Sequence, residues 1–122
     1  MKDKMKLPKP VETYIRAINA GDVEAFESGF AHDAVVNDAG REIRGIAAIR
    51  EWAAHEIFAA NVTLEVMDAA ERDGQTIVTV KIDGTFDRTG LPDPLVMDHC
   101  FTIAGGKIAA LTCRLTEEEP TD

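Results

Sequence analysis

Asn37-Asp38-Ala39-Gly40 separates two parts of the chain that differ in hydrophobic pattern. Helical patterns dominate before this stretch, and after it come one more helical pattern and then strands to the end. Asp38 follows the apolar pair Val35-Val36 and precedes a turn, so we expect a carboxylate at the end of a buried strand. A carboxylate in such a place is costly and often serves as an acid or base, although Asp is also a favoured turn residue. Asp38 is therefore a candidate catalytic residue, with a turn-opening role as the alternative.

Composition predicts one globular domain over residues 1–122, with flexible ends at residues 1–9 and 116–122. The chain has 122 residues, of which 45% are hydrophobic and 29% are charged, enough for one core of moderate size. Its formal net charge of -9 argues against nucleic acid or an anionic membrane as a partner, because polyanions are bound by clustered Lys and Arg.

The two cysteines, Cys100 and Cys113, fall in strand-like runs and are expected to be buried free thiols. With no CxxC and no His/Cys cluster at metal-ligand spacing, we predict neither a metal nor a cofactor. The Lys-rich start lacks the apolar run of a signal peptide, and no segment is long enough to span a bilayer. The predicted location is cytoplasmic.

Three helical patterns are recognisable. The first begins at Pro10 and stops at Gly21, residues suited to a first helical turn and to a helix end. The second is capped by Asp22 and carries Phe30 on its apolar side. The third follows Gly45 and runs from Ile46 to about Phe58.

The remaining patterns are strands, because the hydrophobic period changes to two. The predicted strands are Asp33 to Asp38, one that starts at Asn61 and ends in the hairpin turn at Asp73-Gly74, Ile77 to Phe86, Leu95 to Ala104 and Lys107 to Leu115. The loop from Thr89 to Pro94 is expected at the mouth of a pocket. Helices followed by an antiparallel meander predict an α+β fold, in which a curved antiparallel sheet wraps around three helices and encloses a pocket.

Two further polar candidates are Tyr14 and the pair Asp98-His99. Tyr14 lies on the core face of the first helix, where its hydroxyl needs either a functional partner or a backbone carbonyl. Strand alternation puts His99 and Phe101 on the more apolar face and Asp98 on the opposite face. A β-bulge near His99 would turn the Asp98 side chain to the apolar face instead. The sequence leaves that choice open.

Several runs of the chain resemble the NTF2-like superfamily, and within it the SnoaL-like and ketosteroid isomerase branch. These runs are residues 14–22, residues 30–38, residues 45–52, Asp98-His99 and residues 106–108, so the resemblance covers nearly the whole chain. It implies a cystatin-like α+β cone with a ligand-binding pocket, and a homodimer formed through the outer face of the sheet.

The resemblance to steroid Δ5-3-ketosteroid isomerase implies residue roles. Tyr14 corresponds to the tyrosine that stabilises the oxyanion, Asp38 to the general base, and Asp98 to the protonated second donor, with His99 in that place if the strand is aligned through its aromatic positions. Ala39 stands where the isomerases carry a proline, and Ala53 where they carry a second tyrosine. The side chains expected to line the pocket are Phe30, Trp52, Phe86, Phe101, Leu111 and Cys113.

The resulting functional prediction is cofactor-free proton transfer next to the carbonyl of a small hydrophobic molecule, as in an isomerase. Two alternatives stay open. One is a SnoaL-like polyketide cyclase, which would use the same groups for an aldol-type ring closure. The other is a non-catalytic, dimeric module that binds a small molecule.

Overall fold

The first helix ends where its sequence predicts and begins one residue earlier. In the computed structural model, which describes residues 7–87 and 89–116, α1 runs over Lys9–Ala20 with Pro10 in its first turn. Gly21 ends the helix with φ 71, a left-handed conformation that glycine adopts without a Cβ clash. Most of the predicted flexible ends lie outside the described residues, but Lys9 is already helical.

The second helix is shorter than predicted, and Phe30 does not belong to it. α2 is Val23–Ser28, and the Asp22 side chain caps it by accepting a hydrogen bond from the Ala25 N–H at 3.1 Å. Phe30 begins strand β1 (Phe30–Asp38), because the backbone is already bonded to a neighbouring strand here: the Ile108 N–H donates to the Gly29 carbonyl at 2.8 Å. Phe30 is the ladder partner of Ile108.

The third helical pattern divides into two kinds of helix. α3 is Ile46–Ala53, and the next turn, Ala54–Phe58, is π-helical, with the Ala59 N–H donating to the Ala54 carbonyl at 3.0 Å. Single π-helical turns are rare and often occur at functional sites. The sequence pattern could not reveal this turn, since the spacing of hydrophobic residues over only five positions does not distinguish an α-helical period from a π-helical one.

Six strands form one sheet in the order β2-β1-β6-β5-β4-β3. The strands after β1 are β2 (Arg41–Arg44), β3 (Thr63–Arg72), β4 (Gln75–Asp83), β5 (Leu95–Ala104) and β6 (Lys107–Leu115). The predicted bounds of β5 and β6 are confirmed. β2 was not predicted, because four mostly exposed residues carry no alternating apolar pattern.

The sheet is mixed, so the prediction of a wholly antiparallel sheet was wrong in one place. β3 to β6 form the predicted antiparallel meander, whereas β1 pairs with β6 in parallel. Parallel neighbours need a crossover, and here α3, β3, β4 and β5 all intervene in the chain. Hydrophobic alternation shows that a strand exists and which face is buried, but it does not identify the partner or its direction.

One core joins the helices to one face of the sheet, which confirms the α+β class. Its largest fully buried side chains include those of Tyr14, Phe26, Ile49, Phe101 and Ile108. Register shifts after Val66 in β3 and after Thr102 in β5 interrupt the ladder, and such bulges bend a sheet. Among residues 7–87 and 89–116, no helix is long and apolar enough to cross a membrane.

Asn19 ties the end of α1 to the start of β3. Its Oδ1 accepts from the Leu64 N–H at 2.7 Å, and its Nδ2 donates to the Leu64 carbonyl at 3.0 Å. We expect Asn19→Ala to lower the free energy of unfolding by about 1–2 kcal/mol, since two hydrogen bonds to a part-buried backbone are lost. Urea unfolding measures the change. Glu12→Ala, on an exposed part of the same helix, is the control, and an equal effect of both variants would contradict this role.

Candidate functional site

Strand register brings three polar side chains into one row. Asp38 of β1 is the ladder partner of Cys113 of β6, and Cys113 is the partner of His99 of β5. Ladder partners on adjacent strands point to the same face of a sheet, and strands lie about 4.8 Å apart. Asp38 and His99 are therefore about 10 Å apart at their Cα atoms, with Cys113 between them.

This row forms part of the wall of a cavity of about 370 Å³. Three of the six predicted pocket residues, Trp52, Phe86 and Cys113, line it. The other three, Phe30, Phe101 and Leu111, are buried in the core instead. Lining residues that the sequence analysis missed include Ile18, Glu56, Leu64, Leu91, Leu95 and Met97. Leu91 belongs to the loop that was predicted to border the pocket.

His99, and not Asp98, faces the cavity. The register of β5 is unbroken from Leu95 to Thr102, so no bulge reverses the alternation near His99. Asp98 points to the opposite face, where its Oδ1 accepts hydrogen bonds from the hydroxyls of Thr79 at 2.8 Å and Thr116 at 3.0 Å. The role that the resemblance implied for Asp98 is therefore not available to it in this fold.

Tyr14 and His99 form a buried pair. The Tyr14 hydroxyl lies 3.0 Å from His99 Nδ1, so its partner is a side chain and not a backbone carbonyl. Edge contacts from Phe30 and Phe101, with ring centroids 6.2 and 5.0 Å from that of Tyr14, hold the phenol ring. These two phenylalanines were predicted to contact a ligand, but they pack against Tyr14, which itself lines the cavity.

Both members of the pair are uncharged at neutral pH. Burial lowers the pKa of His99 from 6.5 to about 4, although the charges of Asp38 and Asp98 act in the opposite direction. Burial also raises the pKa of Tyr14 well above 10, and Cys113 and Asp38 add to that effect. Asp38 is thus close enough to act on both groups electrostatically.

A neutral pair of this kind offers one outward hydrogen-bond donor at a time. If the Tyr14 O–H donates to Nδ1, the histidine proton is on Nε2; if Nδ1–H donates to the tyrosine oxygen, the phenol proton is free. Nε2 of His99 has no hydrogen-bond partner among the described residues, and none of their fully buried polar side-chain atoms lacks one. Nε2 is therefore accessible from the cavity.

Asp38 is held through one of its two carboxylate oxygens. Oδ2 accepts from Trp52 Nε1 at 3.0 Å and from Arg41 Nη2 at 2.8 Å, while Oδ1 has no partner among the described residues. Asp38 and Arg41 are ladder partners across the turn at Ala39-Gly40. The turn itself is opened by Asn37, whose Oδ1 accepts from the Gly40 N–H at 3.1 Å, so the turn-opening alternative for Asp38 is wrong.

Arg41 and Glu56 are polar residues of the site that the sequence analysis missed. Arg41 Nη2 also donates to Glu56 Oε1 at 2.9 Å, so one guanidinium bridges two carboxylates. A basic residue three positions after Asp38, beyond a two-residue hairpin turn, was the available signal for Arg41. The signal for Glu56 was its place four positions after Trp52 in the predicted third helix, since this spacing puts two side chains on one face of an α-helix.

Cys113 contributes a protonated thiol to the cavity wall. Burial raises the pKa of this thiol, and the charges of Asp38 and Cys100 raise it further, so it is not a thiolate nucleophile. Both cysteines are free and buried, as predicted. Across residues 7–87 and 89–116, no cluster of three His, Cys, Asp or Glu residues could hold a metal ion.

Comparisons with known proteins agree with this fold. The family model of the SnoaL-like domain matches residues 11–111. A comparison with curated proteins found no match. A solved Sinorhizobium meliloti protein, proposed to be a polyketide cyclase, is 31% identical, with a TM-score of 0.81 over 93% of this chain and 100% of that one.

Two more distant structures show the same fold. One is a Kribbella flavida protein proposed to be a ketosteroid isomerase, with 15% identity and a TM-score of 0.74 over 94% of this chain and 81% of that one. The other is RV0760c of Mycobacterium tuberculosis in complex with estradiol-17beta-hemisuccinate, with 15% identity and a TM-score of 0.72 over 88% of this chain and 91% of that one. The predicted NTF2-like fold is confirmed.

The buried, neutral His99 predicts a pH dependence of stability. Its pKa is 6.5 in the unfolded chain and about 4 in the fold, so between these values the unfolded chain binds more protons. The contribution of His99 is complete above pH 6.5 and is lost as the pH falls towards 4. We expect the loss to be on the order of 3 kcal/mol.

Urea unfolding of the wild type and of His99→Gln, across this pH range, measures the effect. The wild type should lose more stability on acidification than His99→Gln, because glutamine does not titrate. His55→Gln, at an exposed histidine, is the matched control and should follow the wild type. Parallel pH profiles for the wild type and His99→Gln would contradict the buried neutral state.

Proposed function

The chain belongs to the SnoaL-like family, and we propose that its cavity catalyses cofactor-free proton transfer next to the carbonyl of a small hydrophobic molecule. The observation that carries the proposal is the convergence of three groups on one apolar cavity: a carboxylate with a free oxygen, a phenol and a neutral imidazole. Such an arrangement can remove a proton and stabilise the enolate that results.

Asp38 is the proposed base. Its Oδ2 is occupied by Trp52 and Arg41, which leaves Oδ1 to remove a proton α to the ketone and to return it at another carbon. The geometry supports a single orientation of the carboxylate, because donors from two different elements hold the same oxygen. A base held in one orientation lowers the entropic cost of reaching the reactive geometry.

The Tyr14–His99 pair is the proposed oxyanion donor. Negative charge develops on the carbonyl oxygen as the proton leaves, and a neutral donor in a dry site stabilises it without losing its own proton. Either His99 Nε2–H or the Tyr14 O–H would point at that oxygen, depending on the tautomer. The donor that does not touch the oxyanion would polarise the other one through the 3.0 Å hydrogen bond.

A polyketide cyclase is the second candidate, favoured by the 31% identity to the Sinorhizobium meliloti protein. The same base would form an enolate, and the same donor would activate the carbonyl that this enolate attacks. The two reactions therefore differ in the shape of the substrate more than in the catalytic groups.

A non-catalytic, dimeric small-molecule binder is the candidate from another class. Its support is the ion pair of Asp38 with Arg41, which already satisfies one carboxylate oxygen, and Ala53, which replaces the second tyrosine of the isomerases. RV0760c, whose structure holds a steroid derivative, shows that this fold accommodates such ligands in another protein.

Asp38→Asn tests the base. Equilenin, a phenolic mimic of an enolate, should bind Asp38→Asn at least as tightly as the wild type, because the neutral side chain no longer repels the phenolate. Turnover of 3-cyclohexen-1-one to its conjugated isomer, followed by ultraviolet absorbance, should fall by about 10²–10⁴-fold. A binder would show no turnover in either protein, whatever their equilenin affinities.

Three further variants test the donor. We expect His99→Gln and Tyr14→Phe each to lower turnover by roughly 10²–10³-fold, the usual loss for one oxyanion donor. Asp98→Asn is the matched control, since Asp98 bonds to Thr79 and Thr116 on the other face of the sheet. A loss in Asp98→Asn as large as that in His99→Gln would contradict this assignment of the donor.

A further inference from the structure

Three charged side chains meet at one edge of the cavity, and we refer to Asp38, Arg41 and Glu56 as the charge cluster. Both carboxylates line the cavity. Arg41 donates to both of them, yet it lines a groove on the outer side of the same edge and not the cavity itself. The formal charge of the charge cluster is -1, and its negative members are the ones that a bound molecule would meet.

The position of Arg41 follows from the backbone. The hairpin between β1 and β2 makes Arg41 the ladder partner of Asp38, beside the end of β1. Glu56 comes from the π-helical turn, and both Glu56 and its neighbour Ile57 line the cavity. Because Arg41 is not among the described residues that line the cavity, a bound molecule would meet the two carboxylates and not the guanidinium.

The rest of the cavity does not offset this charge. His99 and Tyr14 are neutral, Cys113 carries a protonated thiol, and the other lining residues are apolar or aromatic. No Lys or Arg is among the described residues that line the cavity. A ligand anion would therefore approach two carboxylates without a facing cation.

We propose that the charge cluster selects ligands by charge, admitting uncharged carbonyl compounds and excluding those that carry a carboxylate or phosphate. The inference rests on the proposed function, since it names the substrate class of the same cavity. At the effective dielectric of a partly exposed site, one unit of net charge changes affinity by about tenfold or more. Because Arg41 and Glu56 are half exposed, salt should weaken the selection.

The test compares two ligands that differ in charge and hardly in shape: 6-hydroxy-2-naphthoate and its methyl ester. Calorimetry at neutral pH gives the dissociation constants. The chain has one tryptophan, so its single indole N–H resonance reports whether each ligand reaches the site beside Asp38. The wild type should bind the ester at least tenfold more tightly than the slightly smaller acid, and added salt should reduce this ratio.

Two variants change the charge in opposite directions. Glu56→Gln removes one negative charge and a partner of Arg41, so the ester-to-acid preference should fall about tenfold. Arg41→Gln leaves both carboxylates without their cation, so the preference should rise. Glu51→Gln is the matched control, because Glu51 lies in α3, the helix directly before the π-helical turn, is exposed and does not line the cavity. Its preference should equal that of the wild type.

Several outcomes would overturn the inference: equal binding of acid and ester to the wild type, no response to Glu56→Gln, or an equal response to Glu51→Gln. If the ester binds and Asp38→Asn behaves as proposed above while the preference is absent, only the charge selection fails. If neither compound binds the wild type, the proposed function and the charge selection both fail. Should Arg41→Gln not fold, Glu56→Gln and the salt series still decide.

Discussion

The parallel pairing of β1 with β6 is the constraint on which the site depends. It joins the strand that follows the first two helices to the last strand of the chain, and it sets Asp38 beside Cys113 and, one strand further, His99. A shift of this pairing by one residue would turn Asp38 to the opposite face of the sheet. The catalytic proposal and the charge selection both rest on this one ladder.

The cavity separates neutral polar groups from charged ones. Tyr14 and His99 lie deep, where burial keeps both uncharged, whereas Asp38, Arg41 and Glu56 lie at an edge that solvent reaches. Desolvation explains the division, because a charged group is tolerated only where water or a partner compensates it. A neutral donor inside and an anchored carboxylate at the edge are what proton transfer to and from a carbon acid requires.

Much of this was readable in the sequence. The ends of α1 and the bounds of β5 and β6 followed from Pro10, Gly21 and the alternation of apolar residues, since these signals act over a few residues. The sequence predicts Tyr14, Asp38, Trp52 and Cys113 as residues of the site, and all four line the cavity. The family resemblance also held over most of the chain.

The sequence by itself therefore determined the α+β class, most elements and part of the set of site residues. Only the tertiary structure decided that His99 and not Asp98 faces the cavity, that β1 pairs with β6 in parallel, and that Arg41 bridges Asp38 to Glu56. The physical reason is the distance along the chain over which each kind of interaction acts. Propensity and periodicity act between near neighbours in the chain, whereas register, strand partners and ion pairs across elements are set by the packing of the whole core.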